Sequence, residues 1–244
     1  MRIPPGIPLA GRHRPDRAKL ACMGVLLLVR HGQASLGTAD YDRLSDTGRR
    51  QAQVTGARLA GTDLVIDRVV SGALTRQRDT AQAVLAALGW SASQLLLDDR
   101  LDEYDHVGVM ARHTSKVTFA TATATASGEA GRALQSTLEE AIGRWISGEA
   151  GYAETHDAFM SRVMDAVRHL TAAPGVTVAV TSGGVIAAFF VRALGLPDER
   201  WPGLARLIVN ASITKVITGH TGTNLVTFND HAHLESERAL ITYR

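Results

Sequence analysis

Four short polar clusters in this 244-residue chain contain side chains that could hold and transfer an anionic group. Each follows an apolar run: the clusters are Arg30-His31-Gly32, residues 71–78, residues 100–106 and Ser182-Gly183-Gly184. A guanidinium group binds phosphate bidentately and keeps its charge, and a neutral imidazole is a competent nucleophile near pH 7. A crevice that combined the four clusters would therefore be an anion site with a nucleophile and an acid.

Each cluster also has a simpler interpretation. Arg30 and His31 could lie on a solvated strand edge, and residues 76–79 could be the charged first turn of a helix. The acidic stretch around Glu103 could be a solvated turn. The chemical interpretation therefore depends on whether the fold brings all four clusters to one place.

The hydrophobic pattern predicts such a fold. Short β-branched runs alternate with longer segments of helical period, which is typical of a mostly parallel sheet with helices on both faces. Residues 25–29 form an unbroken apolar run, as expected of a strand buried on both sides. In sheets of this kind the ligand crevice lies beyond the carboxyl ends of the strands. Further strands are predicted at 69–70, 95–97, 176–181, 207–218 and 225–228, with a turn at 219–222, and helices after Ser45, over 81–88 and 159–170, and after Gly184.

The chain divides into a short leader and one domain. Residues 1–22 carry four prolines and five basic side chains against one acidic one, which predicts a disordered basic leader, or a start codon placed too early. Residues 23–244 are predicted to form a single α/β domain. Within it, residues 104–154 contain an ATATATA run and then a helical apolar stripe, so we interpret them as an insertion that caps one edge of the sheet.

Composition excludes several classes of protein. The 45% hydrophobic and 20% charged content is typical of a folded globular chain. A formal net charge of +2 and 5% aromatic residues favour neither nucleic acid nor a membrane as a partner. The only cysteine, Cys22, excludes internal disulfides and fits a reducing, cytoplasmic location. The uncharged stretch 170–191 is interrupted by Pro174 and several glycines, which indicates buried core instead of a membrane span.

Several segments are similar, in order, to those of one known family. LVRHGQAS at 28–35 resembles the signature of the histidine phosphatase superfamily, the phosphoglycerate-mutase-like family. The likeness extends from Gly24 to about Leu234 and implies a three-layer α/β/α fold. Its other landmarks are residues 45–52, SGALTRQRDTA at 71–81, RLDE at 100–103, Phe159 with Arg162-Val163, and NDHAHL at 229–234.

The resemblance implies a two-step phosphoryl transfer without a metal or other cofactor. His31 would attack phosphorus and become phosphohistidine, while Glu103 protonates the leaving oxygen and later deprotonates the attacking water. Arg30 and Arg76 would bind the phosphoryl group throughout. The substrate would be a small phosphorylated molecule or a phosphoprotein.

One position departs from the family pattern. Members usually have a second histidine in a Ser-His-Gly-Gly turn, whereas here Ser182 stands in its place, beside Gly183 in the predicted phosphate site. Losing one transition-state donor typically costs about 10² to 10³ in rate. We expect His106, three residues after Glu103, to be a candidate compensating donor, with His113 a poorer one.

Other positions bear on the type of reaction. Gly37 stands where many members of the family have a phosphate-contacting asparagine, and Ala34 stands where the mutases have a hydroxyl, which favours a phosphatase over a mutase. Because of Ser182, a non-catalytic phosphate-binding protein of the same fold is a second hypothesis. A serine hydrolase that uses Ser182 is a third, although Val180 replaces the first glycine of G-x-S-x-G. His231 and His233 beside Asp230 are better interpreted as a solvated turn than as metal ligands.

Overall fold

A mixed six-stranded sheet organises the part of the chain that the structure describes. The computed structural model describes residues 23–35, 42–113, 129–219 and 222–243, so the predicted leader, Gly37 and the ATATATA run lie outside the described residues. The strands are arranged in the order β3-β2-β4-β1-β5-β6. Their bounds are β1 Gly24–Arg30, β2 Ile66–Ser71, β3 Leu95–Leu97, β4 Gly175–Thr181, β5 Ile213–Gly219 and β6 Gly222–Asp230.

Five of the six strands run in the same direction, and β5 runs opposite to them. β1 pairs in parallel with β4, β4 with β2, and β2 with β3, whereas β5 is antiparallel to both β1 and β6. The carboxyl ends of β1, β2, β3 and β4 therefore lie at one edge of the sheet. This is the edge at which the sequence places the four polar clusters.

Helices connect the strands. The α-helices are α1 Asp46–Ala60, α2 Thr75–Ala87, α3 His106–His113, α4 Glu129–Ile146, α5 His156–Ala172, α6 Gly183–Ala193 and α7 Trp201–Leu207. Short 3-10 helices occupy Ala92–Gln94, Asp99–Leu101, Asp198–Arg200 and Ala232–Leu240. Ser45 caps α1 as predicted, because its Oγ accepts a hydrogen bond from the amide of Gly48 at 3.0 Å.

The hydrophobic core has two halves, one on each face of the sheet. Alternate residues of β1 point in opposite directions, so Leu27 packs with Leu59 of α1 and Val84 of α2. Leu28 belongs to the other half, together with Phe159 of α5 and Val185 of α6. The apolar run at 25–29 is unbroken because both of its faces are covered. The three-layer α/β/α fold predicted from the sequence is confirmed.

One predicted strand begins later than expected. The apolar pattern predicts a strand over 207–218, but α7 extends to Leu207 and β5 begins only at Ile213. Between them Ala211 adopts φ 62°, a left-handed conformation that a strand does not admit. The amide of Ala211 donates to the carbonyl of Arg30 at 3.0 Å, so this turn abuts the end of β1.

The uncharged stretch 170–191 is shared among the end of α5, all of β4 and most of α6, which agrees with its interpretation as core. Among the residues that the structure describes, every helix is too short or too polar to cross a membrane.

Candidate active site

The predicted site residues follow neighbouring strands. His31 comes directly after β1, and its amide donates to the carbonyl of Thr181 at the end of β4 at 2.8 Å. Ser182 follows β4, Arg76 lies in the first turn of α2 after β2, and Glu103 follows the short 3-10 helix after β3. The parallel register of the strands thus brings all four clusters to one edge of the sheet.

The hydrogen bonds of His31 define the protonation of its ring. The side chain is buried, with 6% of its surface exposed. Nδ1 lies 2.7 Å from the carbonyl oxygen of Gly32, and Nε2 lies 3.1 Å from Nε of Arg76. A carbonyl only accepts and a guanidinium only donates, so Nδ1 carries the proton and Nε2 presents its lone pair. Burial, followed by the charges of Arg76 and Arg30, holds the pKa of His31 well below its ordinary 6.5. The ring is therefore neutral at pH 7, with an Nε2 lone pair that could act as a nucleophile.

Arg76 is held by an acidic residue that the sequence analysis missed. Its Nη1 pairs with Oδ1 of Asp42 at 2.6 Å, and Oδ2 of Asp42 accepts the amide of Thr75 at 2.7 Å. Asp42 therefore orients the guanidinium and binds an amide in the first turn of α2, where the N-cap residue Leu74 makes no side-chain cap. No sequence pattern marks Asp42, because it lies between elements.

Arg30 is directed by backbone carbonyls. Its Nη1 donates to the carbonyl of Tyr243 at 3.1 Å and also to that of Ile208. Gly183 lies against this guanidinium, since a Cβ on Gly183 would be 3.4 Å from Nε of Arg30. The side chain thus reaches the start of α6, where the sequence predicts the phosphate site.

Glu103 lies at the amino end of α6. Its Oε2 accepts the amide of Gly184 at 3.1 Å, and its Oε1 accepts the amide of Tyr104 at 3.2 Å. Burial raises the pKa of Glu103 above its ordinary 4.5, although these amides and the charges of Arg76 and Arg30 act in the opposite direction. The same two arginines thus influence the pKa values of both Glu103 and His31. A carboxyl group that stays protonated to higher pH is suited to donate a proton.

Ser182 is fully buried, and its Oγ accepts a hydrogen bond from Nε2 of Gln77 at 2.9 Å. The same amide nitrogen donates to the carbonyl of Leu101 at 3.1 Å. An amide cannot take a proton from a hydroxyl, so this contact does not activate Ser182 as a nucleophile. Sequence reasoning missed Gln77, which looks like an ordinary helix residue after Arg76.

His106 is the first residue of α3, and its ring packs edge-on near Tyr104 at 6.2 Å between centroids. Burial and the charge of Arg76 lower its pKa below 6.5. The lowered pKa favours the neutral form of His106, and its role as a compensating donor stays a prediction. His113, at the other end of α3, lies 3.6 Å from Glu140.

Metal ligation has one geometric candidate among the described residues. His156, Asp157 and Asp198 place potential ligand atoms within 4.8 Å of one another. However, Arg192 donates to Asp198 at 3.0 Å, so a cation there would face a guanidinium group. In the turn where the sequence placed His231 and His233, Nε2 of His233 contacts the carbonyl of Ala211 at 3.1 Å.

Comparison with known proteins decides the family. The model of the histidine phosphatase superfamily (branch 1) matches residues 26–231, which include all of the predicted site residues. The chain belongs to this superfamily. The resemblance drawn from LVRHGQAS and the later motifs is therefore confirmed.

Within the superfamily, the curated relatives match only part of the chain. A 2,3-bisphosphoglycerate-dependent phosphoglycerate mutase of Azorhizobium caulinodans is 38% identical over 88 residues, which cover 34% of this chain and 43% of the mutase. Mitochondrial serine/threonine-protein phosphatase Pgam5 of Drosophila ananassae is 30% identical over 83 residues, or 33% of this chain and 29% of that protein. The chain thus spans less than half the length of these relatives.

Solved structures of superfamily members match more of the chain. A mycobacterial glucosyl-3-phosphoglycerate phosphatase in complex with inorganic phosphate is 25% identical, with a TM-score of 0.58, and the match covers 86% of this chain and 99% of that one. Phosphoserine phosphatase from Entamoeba histolytica, at 19% identity and a TM-score of 0.60 over 86% of this chain and 98% of the other, shares the fold. Phosphatases are thus among the structural neighbours of this chain.

Proposed function

We propose that this chain is a phosphatase that hydrolyses a phosphomonoester, or a phosphohistidine, through a phosphohistidine intermediate on His31. The observation that carries the proposal is the ring of His31, which is neutral and presents the Nε2 lone pair toward Arg76. A buried imidazole held in this form needs no separate base to act as a nucleophile.

In the first step, the lone pair of Nε2 forms a bond to phosphorus, and the bond between phosphorus and the leaving atom breaks; this atom is an oxygen in a phosphomonoester and an imidazole nitrogen in a phosphohistidine. Glu103 gives its proton to that atom, so the leaving group departs as a neutral alcohol or a neutral imidazole. Nε of Arg76 donates to Nε2 in the structure, and it would transfer this hydrogen bond to a phosphoryl oxygen as phosphorus approaches. Arg30 and Arg76 supply two permanent positive charges, which would neutralise the phosphoryl oxygens without a metal ion.

In the second step, the carboxylate of Glu103 removes a proton from water, and the water oxygen attacks phosphorus. The bond between phosphorus and Nε2 breaks, which releases inorganic phosphate and restores the neutral ring of His31. Glu103 regains the proton that it gave away in the first step, so the cycle closes. The raised pKa of Glu103 favours its role as the proton donor of the first step, because the carboxyl group keeps its proton to a higher pH than an exposed glutamate does.

A non-catalytic phosphate-binding protein is the second candidate, and Ser182 favours it. Its hydroxyl is buried and accepts from Gln77, at the position where most superfamily members have a second histidine. Such a protein would bind phosphate through Arg30 and Arg76 but would not hydrolyse a substrate. Hydrolysis through Ser182 has less support, because its Gln77 partner is not a base.

We propose a small phosphorylated molecule or a phosphoprotein as the substrate. The mycobacterial neighbour carries a phosphorylated sugar acid in its name, and Pgam5 is named as a protein phosphatase. A lone cysteine at position 22 is consistent with a reducing, cytoplasmic location.

The test is a panel of phosphorylated metabolites and one phosphohistidine protein, assayed in EDTA with the His31→Ala variant as control. Sustained release of phosphate that depends on His31 supports the phosphatase. Binding of inorganic phosphate that depends on Arg76, without turnover of any substrate, supports the non-catalytic protein instead. Turnover that EDTA abolishes would contradict the metal-independent mechanism.

A further inference from the structure

The turn that leads into Glu103 is held by side chains from three other elements. Arg162 of α5 donates through Nη1 to the carbonyls of Arg100 and Asp102, each at 2.8 Å. The carbonyl between them, of Leu101, accepts from Thr181 Oγ1 at 2.6 Å and from Gln77 Nε2 at 3.1 Å. Three successive carbonyls before Glu103 are thus bound by side-chain donors.

Arg162 is itself held in place by Glu154. Nε and Nη2 of Arg162 pair with the two carboxylate oxygens of Glu154 at 2.5 and 3.0 Å, and its guanidinium lies 4.8 Å from the ring centroid of Phe159. The backbone carbonyl of Glu154 accepts the indole N–H of Trp145 at 2.8 Å. One edge of the guanidinium is therefore bound by a carboxylate, while Nη1 remains directed at the turn.

We propose that Arg162 and Glu154 are positioning residues for the proton donor. The inference rests on the proposed function, in which Glu103 protonates the leaving oxygen. Asp102 directly precedes Glu103, so the bond from Arg162 to its carbonyl fixes the point from which the Glu103 side chain extends. Only a planar guanidinium can bind the carboxylate and both carbonyls at once, and a lysine has one nitrogen for the same task.

This role gives a signature that depends on the leaving group. An alkoxide needs a proton in order to depart, whereas p-nitrophenolate is a stable anion and departs without one. Misplacing the proton donor therefore slows the transfer from glycerol phosphate and leaves the transfer from p-nitrophenyl phosphate nearly unchanged. The value of kcat/KM reports this first step even when hydrolysis of the intermediate limits kcat. General loss of structure would lower kcat/KM for both substrates.

The experiment compares Arg162→Gln, Arg162→Lys and Glu154→Gln with the wild type on both substrates. A misplacement of about 1 Å can cost about 10²-fold, so we expect Arg162→Gln to lower kcat/KM for glycerol phosphate by about 10- to 100-fold and for p-nitrophenyl phosphate by less than about threefold. Glu154→Gln should also lower kcat/KM for glycerol phosphate more than for p-nitrophenyl phosphate, but by a smaller factor than Arg162→Gln. Glu103→Gln serves as the reference for complete loss of the donor.

Arg68→Gln is the matched control. Arg68 is also partly buried and donates to Thr177 Oγ1 at 3.0 Å and to the carbonyls of Ala173 and Pro174 at 3.4 Å each, at the opposite end of the sheet. The Arg68→Gln variant should change kcat/KM for both substrates equally or leave both values unchanged. Thermal unfolding of all variants shows which of them remain folded.

The outcomes separate the two proposals. Suppose that Glu103→Gln lowers kcat/KM for glycerol phosphate much more than for p-nitrophenyl phosphate, but Arg162→Gln lowers kcat/KM for both substrates equally. The inference is then wrong, and the proposed function stands. If Arg162→Gln fails to fold, Glu154→Gln serves as the test. Wild-type values of kcat/KM for both substrates in Glu154→Gln would then overturn the inference. If the wild type shows no turnover that depends on His31, the proposed function fails and the inference fails with it.

Discussion

Replacing Gly184 with alanine tests whether the proposed proton donor, Glu103, acts from its place at the amino end of α6. A Cβ at position 184 would lie 2.1 Å from Oε1 and 2.9 Å from Cδ of Glu103, while ordinary contacts begin at 3.4 Å. The carboxyl group must therefore retreat by about 1.3 Å and would lose its hydrogen bond from the amide of Gly184. A misplacement of about 1 Å at a reacting group can cost about 10²-fold. We expect Gly184→Ala to lower kcat/KM for glycerol phosphate by about that factor.

The assay compares glycerol phosphate with p-nitrophenyl phosphate, whose leaving group needs no proton. Gly143→Ala is the control, because a Cβ at position 143 of α4 would have no atom within 4 Å. That control should stabilise the protein by up to about 1 kcal/mol and leave kcat/KM unchanged. In a Glu103→Gln background, Gly184→Ala should cost little more, since the donor is already lost.

If Gly184→Ala keeps the wild-type kcat/KM for glycerol phosphate while Glu103→Gln does not, the carboxyl group does not act from the amino end of α6.

Three further predictions concern protonation and phosphate binding. The value of kcat/KM should fall as pH rises through the raised pKa of Glu103, and this alkaline limb should be absent in Glu103→Gln; a retained limb would assign it to another group. The depressed pKa of His31 means that the unfolded state takes up a proton first, so stability should fall as pH drops below 6.5, by up to about 1.4 kcal/mol per pH unit. Urea unfolding at several pH values should show that the free energy of unfolding of His31→Asn depends less steeply on pH than that of the wild type. An equal dependence would contradict a buried neutral ring at His31. Arg76→Lys should weaken binding of inorganic phosphate by at least about tenfold in calorimetry, whereas Arg58→Lys, on the exposed face of α1, should not.

The elements that position the site were predictable because their patterns are local. The apolar run at 25–29 predicts β1, and the stripe over 81–88 predicts most of α2. Motif spacing then puts His31 and Glu103 just beyond strand ends. These features depend on residue type and period, which a single sequence displays directly.

The contacts that orient the site were not predictable in the same way. Asp42 reaches Arg76, and Arg162 reaches the turn before Glu103, across 34 and 60 residues of chain. Such pairs are brought together only by the packed fold, and no local pattern in the sequence shows which distant residue each arginine contacts. The predicted strand over 207–218 was wrong at its start, because hydrophobicity does not reveal the left-handed turn at Ala211.

The proposed mechanism depends on phosphorylation of Nε2 of His31. The most direct measurement is to mix the protein with a substrate, quench within one turnover under alkaline conditions that preserve phosphohistidine, and locate the phosphoryl group by mass spectrometry. We expect one phosphoryl group on the peptide that contains His31, and we expect it to accumulate when Glu103→Gln slows hydrolysis of the intermediate. Phosphate released by the wild type with no phosphoryl group on that peptide, or with one on another residue, would contradict the proposed mechanism.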